Sequence, residues 1–166
     1  NMTKKSHGRL RRIVSRTGWI VGWTLRLLVI LLVVDAFYLA VTWPDWDKLA
    51  TGPVPKSRFI AEYETRRMED KKLPALRWQP VPLSAMPKHL LRAVILAEDS
   101  RFYDHSGFDL QAFREAMDYN FEKGRLARGA STISQQTVKN LFLSGSRNPL
   151  RKWHELVLTW GMEQRL

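Results

Sequence analysis

The stretch VILAEDSRFYDHSGFD, Val94 to Asp109, raises the question on which the fold and the function both turn. An apolar run ends on two adjacent carboxylates, Glu98 and Asp99, and a histidine, a glycine and another aspartate follow. Apolar residues recur at spacings of three and four from Leu90 to Ile95, which predicts a helix whose apolar face carries Glu98. A carboxylate on such a surface loses hydration, which favours its neutral form and suits a general acid or base.

The same stretch also has a structural interpretation. Glu-Asp-Ser is a common way to close a helix in water, and His105 is more often a satisfied structural histidine than a catalyst. Gly107 can serve simply to make a turn. Taken alone, the stretch favours this second interpretation.

Helical signals surround this segment, and the globular part is predicted to be all-α. Pro87 suits a first turn, Asp109 is a good N-cap, and Gly124 would end the helix that Asp109 begins. A last helix opens at Asn148 and Pro149, and it carries Leu150, Trp153, Val157 and Trp160 on one face. Upstream, the segment RFIAEYE, residues 58–64, is predicted to form a short strand.

Net charge is distributed unevenly along the 166 residues. The chain carries +11, but seven of its 27 Lys and Arg and none of its 16 Asp and Glu lie in residues 1–34. The basicity therefore belongs mostly to the N-terminal tail. A basic arm of this kind can bind nucleic acid, but the apolar segment after the tail argues against nucleic acid as the partner.

This apolar segment, WIVGWTLRLLVILLVVDAFYLAVTW, runs from Trp19 to Trp43. Its length suffices to cross a bilayer, and aromatic residues stand near both ends. Arg26 and Asp35 interrupt it. A cleaved signal peptide or a buried soluble helix are the alternatives, but AVTWPDW is a poor cleavage site. Because Lys and Arg cluster only before this segment, we expect a single-pass anchor with a cytoplasmic N-terminus.

This gives four predicted regions: a basic tail (1–18), a transmembrane anchor (19–43), a linker with an entry segment (44–76) and a globular domain (77–166). The chain has no cysteine, and its four histidines show no paired metal-ligand spacing.

Two downstream stretches also carry functional chemistry. In RGASTISQQTVKNLF, residues 128–142, Thr132 and Gln135 form a capping box. The hydroxyls, the glutamines and the free N–H groups of such a helix start can also receive phosphate or sugar hydroxyls. RKWHE, residues 151–155, is either a salt-bridged surface turn or, with the basic residues before it, a holder of an anionic group.

Together and in this order, AEDSRFYDHSGFD, RGASTISQQTVKNLF and RKWHE resemble the first three motifs of the peptidoglycan glycosyltransferase domain. That domain occurs in monofunctional biosynthetic transglycosylases and in class A penicillin-binding proteins. RWQPVPLSAMPKHLLRAVILAED is similar to the segment that begins the domain in the monofunctional branch, so the resemblance covers residues 77–166. It implies a mostly helical, lysozyme-like fold at the outer face of the bacterial cytoplasmic membrane.

The resemblance also implies a reaction and roles for residues. Lipid II is polymerised into glycan strands with inversion, and polyprenyl diphosphate is released. Glu98 matches the catalytic base and Glu155 the second Glu, which acts on the leaving group directly or through a divalent cation, Mg or Mn. No cofactor is required with certainty. The implied substrate-binding residues are Asp99, Phe102, His105, Gly107, Ser131, Thr132, Gln135, Gln136, Lys139, Arg147, Arg151 and Lys152.

The implied partners are lipid II, the growing glycan chain and membrane lipid, and other cell-wall synthesis and division proteins are left open. The family domain continues through further helices and two more motifs beyond a stretch like GMEQRL, where this chain stops. We therefore keep two alternatives to an active polymerase: an inactive membrane protein that binds lipid II or cell-wall partners, and a lytic enzyme that cleaves glycan.

Overall fold

The computed structural model describes residues 2–146 and 148–166, with side chains from Gly18 onward. Its α-helices are α1 (Met2–Val41), α2 (Trp46–Thr51), α3 (Arg58–Glu69), α4 (Lys88–Glu98), α5 (Leu110–Lys123), α6 (Ile133–Phe142) and α7 (Pro149–Glu163). Short 3₁₀ turns lie at Leu83–Ala85 and Phe102–Asp104. These described residues contain no strand, which confirms the all-α prediction. Residues 1–44 and 45–166 form two separate compact units.

In the first unit, α1 contains the predicted membrane anchor. Its apolar part is long enough to cross a membrane by length and composition, and its hydrophobic side chains are mostly exposed. Thr24 directs its hydroxyl to the carbonyls of Ile20 and Val21 on its own helix, so the hydroxyl is satisfied without water. The guanidinium of Arg26 lies 5.4 Å from the ring centre of Trp23. Asp35, the other charged residue of the segment, also has an interaction partner.

The strand predicted for residues 58–64 is wrong, because this segment forms the first part of α3. The order of apolar and polar residues in this segment is compatible with a strand or a helix, and a helix cap favours the helix. Ser57 is the N-cap and accepts a hydrogen bond from the Ile60 N–H. The chain after α3 folds back on it, since Tyr63 donates its hydroxyl to the Pro74 carbonyl.

Helices α4 and α5 begin and end close to the predicted residues. Pro87 is the N-cap of α4 and not a residue of its first turn. Asp109 caps α5 by accepting from the Ala112 N–H at 2.8 Å. Gly124 ends α5 in the left-handed conformation, with φ of 61°, as a C-terminal glycine is expected to do.

The core of the second unit lies where α6 packs against α7, with α3 also against α6. Val138, Leu143, Leu158 and Met162 are buried there together with Trp46 of α2. The Trp46 ring also meets Phe142 edge to face, with 5.6 Å between ring centres, a favourable aromatic geometry. The caps of both core helices are as predicted: Thr132 and Gln135 form a complete capping box, and Asn148 caps α7, with Pro149 in its first turn.

The face of α7 that packs inward differs from its most apolar face. Leu150, Trp153 and Trp160 are each at least half exposed. Buried instead are His154, Glu155, Leu158, Thr159, Gly161 and Met162. The buried face therefore carries polar as well as apolar side chains, and the hydrophobic pattern alone does not orient this helix.

We predict a pH-dependent contribution of Asp109 to stability. Burial acts to raise the pKa of Asp109, but the Ala112 N–H and the Arg101 guanidinium outweigh it and hold the pKa below its ordinary value of 3.8. The stabilisation is therefore complete above pH 3.8 and is lost as the pH falls through the lowered folded-state pKa. Asp109→Asn, which keeps a capping oxygen, should be less stable than the wild type near neutral pH.

Urea unfolding of the full chain in detergent micelles, at neutral pH and at about pH 3, measures this difference. Asp109→Ala also removes the cap and should lose about 1 kcal/mol more at both pH values. Asp118→Asn, an exposed acid on the same helix, is the control. A gap between wild type and Asp109→Asn that is the same at both pH values would contradict the prediction.

Candidate active site

Asp99 joins the loop after α4 to the start of α6. Its side chain is buried, with one oxygen 2.9 Å from His105 Nε2 and the other accepting from the Ile133 N–H at 3.0 Å. That N–H is one of the groups at a helix start that lack a partner within the helix, and a carboxylate is favoured there by the helix dipole. Asp99 thus fixes the first two sequence motifs against each other.

Two more hydrogen bonds tie the same helix start to its surroundings. Thr132 donates its hydroxyl to the Gly107 carbonyl at 2.7 Å. Ser134 donates to the Glu163 carboxylate, near the end of α7, at 2.5 Å. The N-terminal turn of α6 is therefore bonded both to the loop that contains Gly107 and to the last turn of α7.

Glu98 lies at the end of α4 beside this junction. One of its oxygens accepts from the amide of Gln136 at 2.7 Å. The burial predicted for Glu98 is wrong: the residue is exposed, because α4 meets few neighbours on this side. Glu98 forms no ion pair among the described side chains.

Glu98 lines a cavity of 370 Å³ between the first and second motifs. Arg101 and Arg128 also line this cavity, as do Asp109 and Glu115. A second cavity of 500 Å³ shares Asp109, Ala130 and Ser131 with it and is mainly apolar. Lys152 of the third motif lines this second cavity. Residues of all three motifs thus line these two adjoining cavities, which we together call the groove and which have Ser131 in common.

Glu155 is in a different environment from Glu98. It is 2% exposed, and its two oxygens accept from Arg151 Nη1 at 2.7 Å and Lys152 Nζ at 2.5 Å. The salt-bridged interpretation of RKWHE is therefore correct in geometry, but the carboxylate is buried and not on the surface. Charge-assisted hydrogen bonds to both oxygens offset the cost of burying it.

The remaining predicted site residues fall into two groups. Thr132 and Gln135 are buried and use their polar atoms in the capping box, and Gln135 also lines the second cavity. Ser131 lines both cavities, and Gln136 bonds Glu98. Phe102 packs edge to face on His105 with 6.4 Å between ring centres. Lys139 is half-buried on α6, one turn after Gln136. Arg147 lies outside the described residues.

A resident metal ion fits these residues poorly. Asp99, His105 and Asp109 bring ligand atoms within 4.8 Å of one another, but their oxygens already have donors. Arg101 donates twice to Asp109, at 2.9 and 2.8 Å, and its charge opposes a cation beside it. Both oxygens of Glu155 are likewise held by cationic side chains.

Three residues with evident roles in this arrangement were not found from the sequence. Ser134 and Glu163 connect α6 to α7, and Asn120 holds the chain that leads into the second motif. Their partners lie 7 to 29 residues away, so no helical spacing indicates the contacts. Only the hydroxyl-rich start of α6 gave a signal, and it pointed to ligands and not to α7.

Comparison with known proteins gives a family match and a set of relatives. The transglycosylase family profile matches residues 67–166. A biosynthetic peptidoglycan transglycosylase of Nitrosospira multiformis is 48% identical over 113 residues, which are 68% of this chain and 49% of the relative.

Two further relatives carry the same name. The protein of Thiobacillus denitrificans is 42% identical over 137 residues, covering 82% of this chain and 56% of the relative. That of Burkholderia ambifaria is 36% identical over 162 residues, covering 98% of this chain and 64% of the relative. The chain thus spans about half to two thirds of the length of the curated relatives it matches.

Gly107 provides a test of how tightly the first motif packs on α7. It has a φ of 79°, and an added Cβ would lie 2.7 Å from Glu163 Cγ and 3.0 Å from Thr159 Cγ2. Gly107→Ala should therefore lose stability both through backbone strain, about 1 kcal/mol, and through overpacking, about 1–3 kcal/mol. Urea unfolding of the full chain in micelles measures the sum.

Gly124→Ala is the matched control. Gly124 also has a positive φ, 61°, but an added Cβ meets nothing within 4 Å, so only the strain remains. Equal losses of stability in the two variants would show that the contact of Gly107 with α7 does not constrain the loop.

Proposed function

This chain belongs to the transglycosylase family, and on that premise we propose that it is a membrane-anchored peptidoglycan glycosyltransferase. In the proposed reaction it polymerises lipid II into glycan strands with inversion and releases polyprenyl diphosphate. The observation that carries the proposal is the contrast between the two glutamates. Glu98 opens on the groove beside a neutral amide, and Glu155 is buried between two cations.

Glu98 is suited to act as the general base. A carboxylate paired with a cation would bind a proton less readily, whereas the Gln136 amide orients Glu98 and leaves its net charge intact. In the proposed step Glu98 takes the proton from the 4-hydroxyl of the acceptor sugar. The freed oxygen attacks C1 of the growing chain, and the bond from C1 to the diphosphate oxygen breaks with its electron pair on the diphosphate.

The third motif is suited to the leaving group. Negative charge grows on the diphosphate as it departs, and fixed cations nearby stabilise that transition state. Lys152 is partly exposed and lines the second cavity, and Glu155 holds it and Arg151 in place. We assign Lys139 and Arg147 to the same task. Any Mg²⁺ or Mn²⁺ would enter with the diphosphate, since Glu155 has no oxygen to spare.

Ser131, which lines the groove, and Gln136, which bonds Glu98, are proposed to contact the sugars. Asp99, His105, Gly107, Thr132 and Gln135 would act by holding the site in shape. Membrane lipid is a further proposed partner, because a substrate with a long polyprenyl tail stays in the bilayer. An anchor on the same chain then raises the effective concentration of enzyme at its substrate.

We predict that purified full chain forms glycan polymer from lipid II and that Glu98→Gln lowers the rate at least about 10²-fold, since it removes the base. Polymer is measured by gel separation of labelled product. Glu122→Gln, which changes an exposed acid near the end of α5, is the control and should leave the rate within about twofold.

The alternatives give other results in the same assay. Binding of lipid II without polymer, in wild type and variant alike, would support an inactive binding protein. Loss of a pre-made glycan without consumption of lipid II would support a lytic enzyme. A Glu98→Gln variant as fast as the control would refute the role of Glu98 as base.

We also propose that α1 crosses the bacterial cytoplasmic membrane once, with the N-terminus in the cytoplasm and residues 45–166 outside. The positive-inside rule supports this orientation. Protease added to spheroplasts that express the chain should digest an epitope tag at the C-terminus and spare one at the N-terminus. The reverse pattern would overturn the proposed orientation, and protection of both tags would place the catalytic unit inside the cell.

A further inference from the structure

The segment between α5 and α6, residues 124–132, shapes the groove but has little support of its own. It contains no regular secondary structure, and residues 124–129 are exposed. Nevertheless five of its residues line the 370 Å³ cavity together with Glu98, and we call them the wall: Arg128, Gly129, Ala130, Ser131 and Thr132. An exposed backbone without a helix or strand would ordinarily sample many conformations, so something must hold this wall.

One side chain on α5 supplies most of that support. The side-chain oxygen of Asn120, Oδ1, accepts from the N–H groups of Ala127 and Arg128, both at 2.7 Å. Its amide nitrogen donates to the Arg128 carbonyl at 2.8 Å. The side chain thus bonds both sides of Arg128 and replaces the backbone partners that a strand or a helix would provide.

The turn that brings the segment back to Asn120 is built into the end of α5. Gly124 adopts the left-handed conformation, and the Gly124 and Arg125 N–H groups donate to the backbone carbonyl of Asn120. The Asn120 backbone therefore closes the helix, and its side chain captures the chain after the turn. Arg128 has one further, longer contact, 3.8 Å to Glu115 on the same helix.

We propose that Asn120 is a positioning residue for the site: it holds Arg128 to Ser131 in the conformation that forms the substrate-facing wall of the groove. This inference deepens the proposed function and rests on it for the identity of the substrate, a lipid-linked disaccharide. Asn120 itself does not line the groove. Asn120 favours substrate binding by preorganising the wall, so that less conformational entropy is lost when the substrate binds.

The first test uses trypsin and does not depend on activity. Trypsin cuts after Arg125 and Arg128 in this segment, and cutting requires the segment to open. In the full chain in detergent micelles, Asn120→Ala removes three hydrogen bonds, so cleavage at these two sites should accelerate about tenfold or more. The peptides are identified and timed by mass spectrometry.

Two comparisons make this result specific. Asp118→Ala, at an exposed position on the same helix, should be cleaved like the wild type. Asn120→Asp keeps the acceptor for two of the three hydrogen bonds and should be cut more slowly than Asn120→Ala. Cleavage after Lys139, in the packed helix α6, reports global unfolding and should not change.

The proposal is overturned if Asn120→Ala is cut in this segment at the wild-type rate. It is also overturned if cleavage after Lys139 accelerates equally, since Asn120 would then support the fold and not the wall.

The second test measures kinetics with lipid II. Asn120→Ala should raise KM about tenfold, with kcat within about twofold, because the wall must be ordered at the cost of binding energy. Asn120→Asp should recover part of the loss in KM. A fall in kcat alone would contradict the assigned role. If the wild type makes no polymer, the proposed function fails, and the trypsin comparison still decides whether Asn120 holds the segment.

Discussion

The second unit depends on one buried carboxylate, that of Asp99. It closes α4, receives the imidazole of His105 and takes the first free N–H of α6, which lies 34 residues further along the chain. A buried charge is tolerated only where such donors satisfy it. Since each donor comes from a different segment, satisfying Asp99 fixes the end of one helix, the following loop and the start of another helix in a single arrangement.

The placement of Glu98 follows from that constraint. Glu98 is the neighbour of Asp99 in sequence, and the side chain of Asp99 points into the junction while that of Glu98 points to the groove. The Gln136 amide then reaches Glu98 from the first turn of α6. Rigid elements therefore position the proposed base, as a reactive group that must meet its substrate in one geometry requires.

The features predicted from the sequence are those set by short-range interactions. The caps at Asp109, Thr132 and Asn148 and the left-handed Gly124 depend on residues three or four positions away, and all were found. The strand assigned to residues 58–64 was wrong because a Ser57 cap outweighs a weak alternation of side chains. The inward face of α7 was also not predicted, because it carries polar residues and is not the most apolar face of the helix.

The two glutamates show how far local sequence can predict chemistry. For Glu98 the apolar neighbours on α4 predicted burial, but that face of the helix is largely exposed in the described residues, so burial does not support the role of base that we propose for it. Its hydrogen-bond partner in the structure is the neutral amide of Gln136. For Glu155 the partners at i−4 and i−3 were visible in sequence, although that order of charges is the less favourable one on an isolated helix.

Burial resolves this difference for Glu155. In a site with little water, a carboxylate that is held at both oxygens by cations is fixed in position, and it in turn orients Arg151 and Lys152. Glu98, in contrast, is exposed, and its hydrogen-bond partner is a neutral amide. The separation of roles that we propose between base and diphosphate support therefore rests on which partner each glutamate has, and burial strengthens that separation only for Glu155.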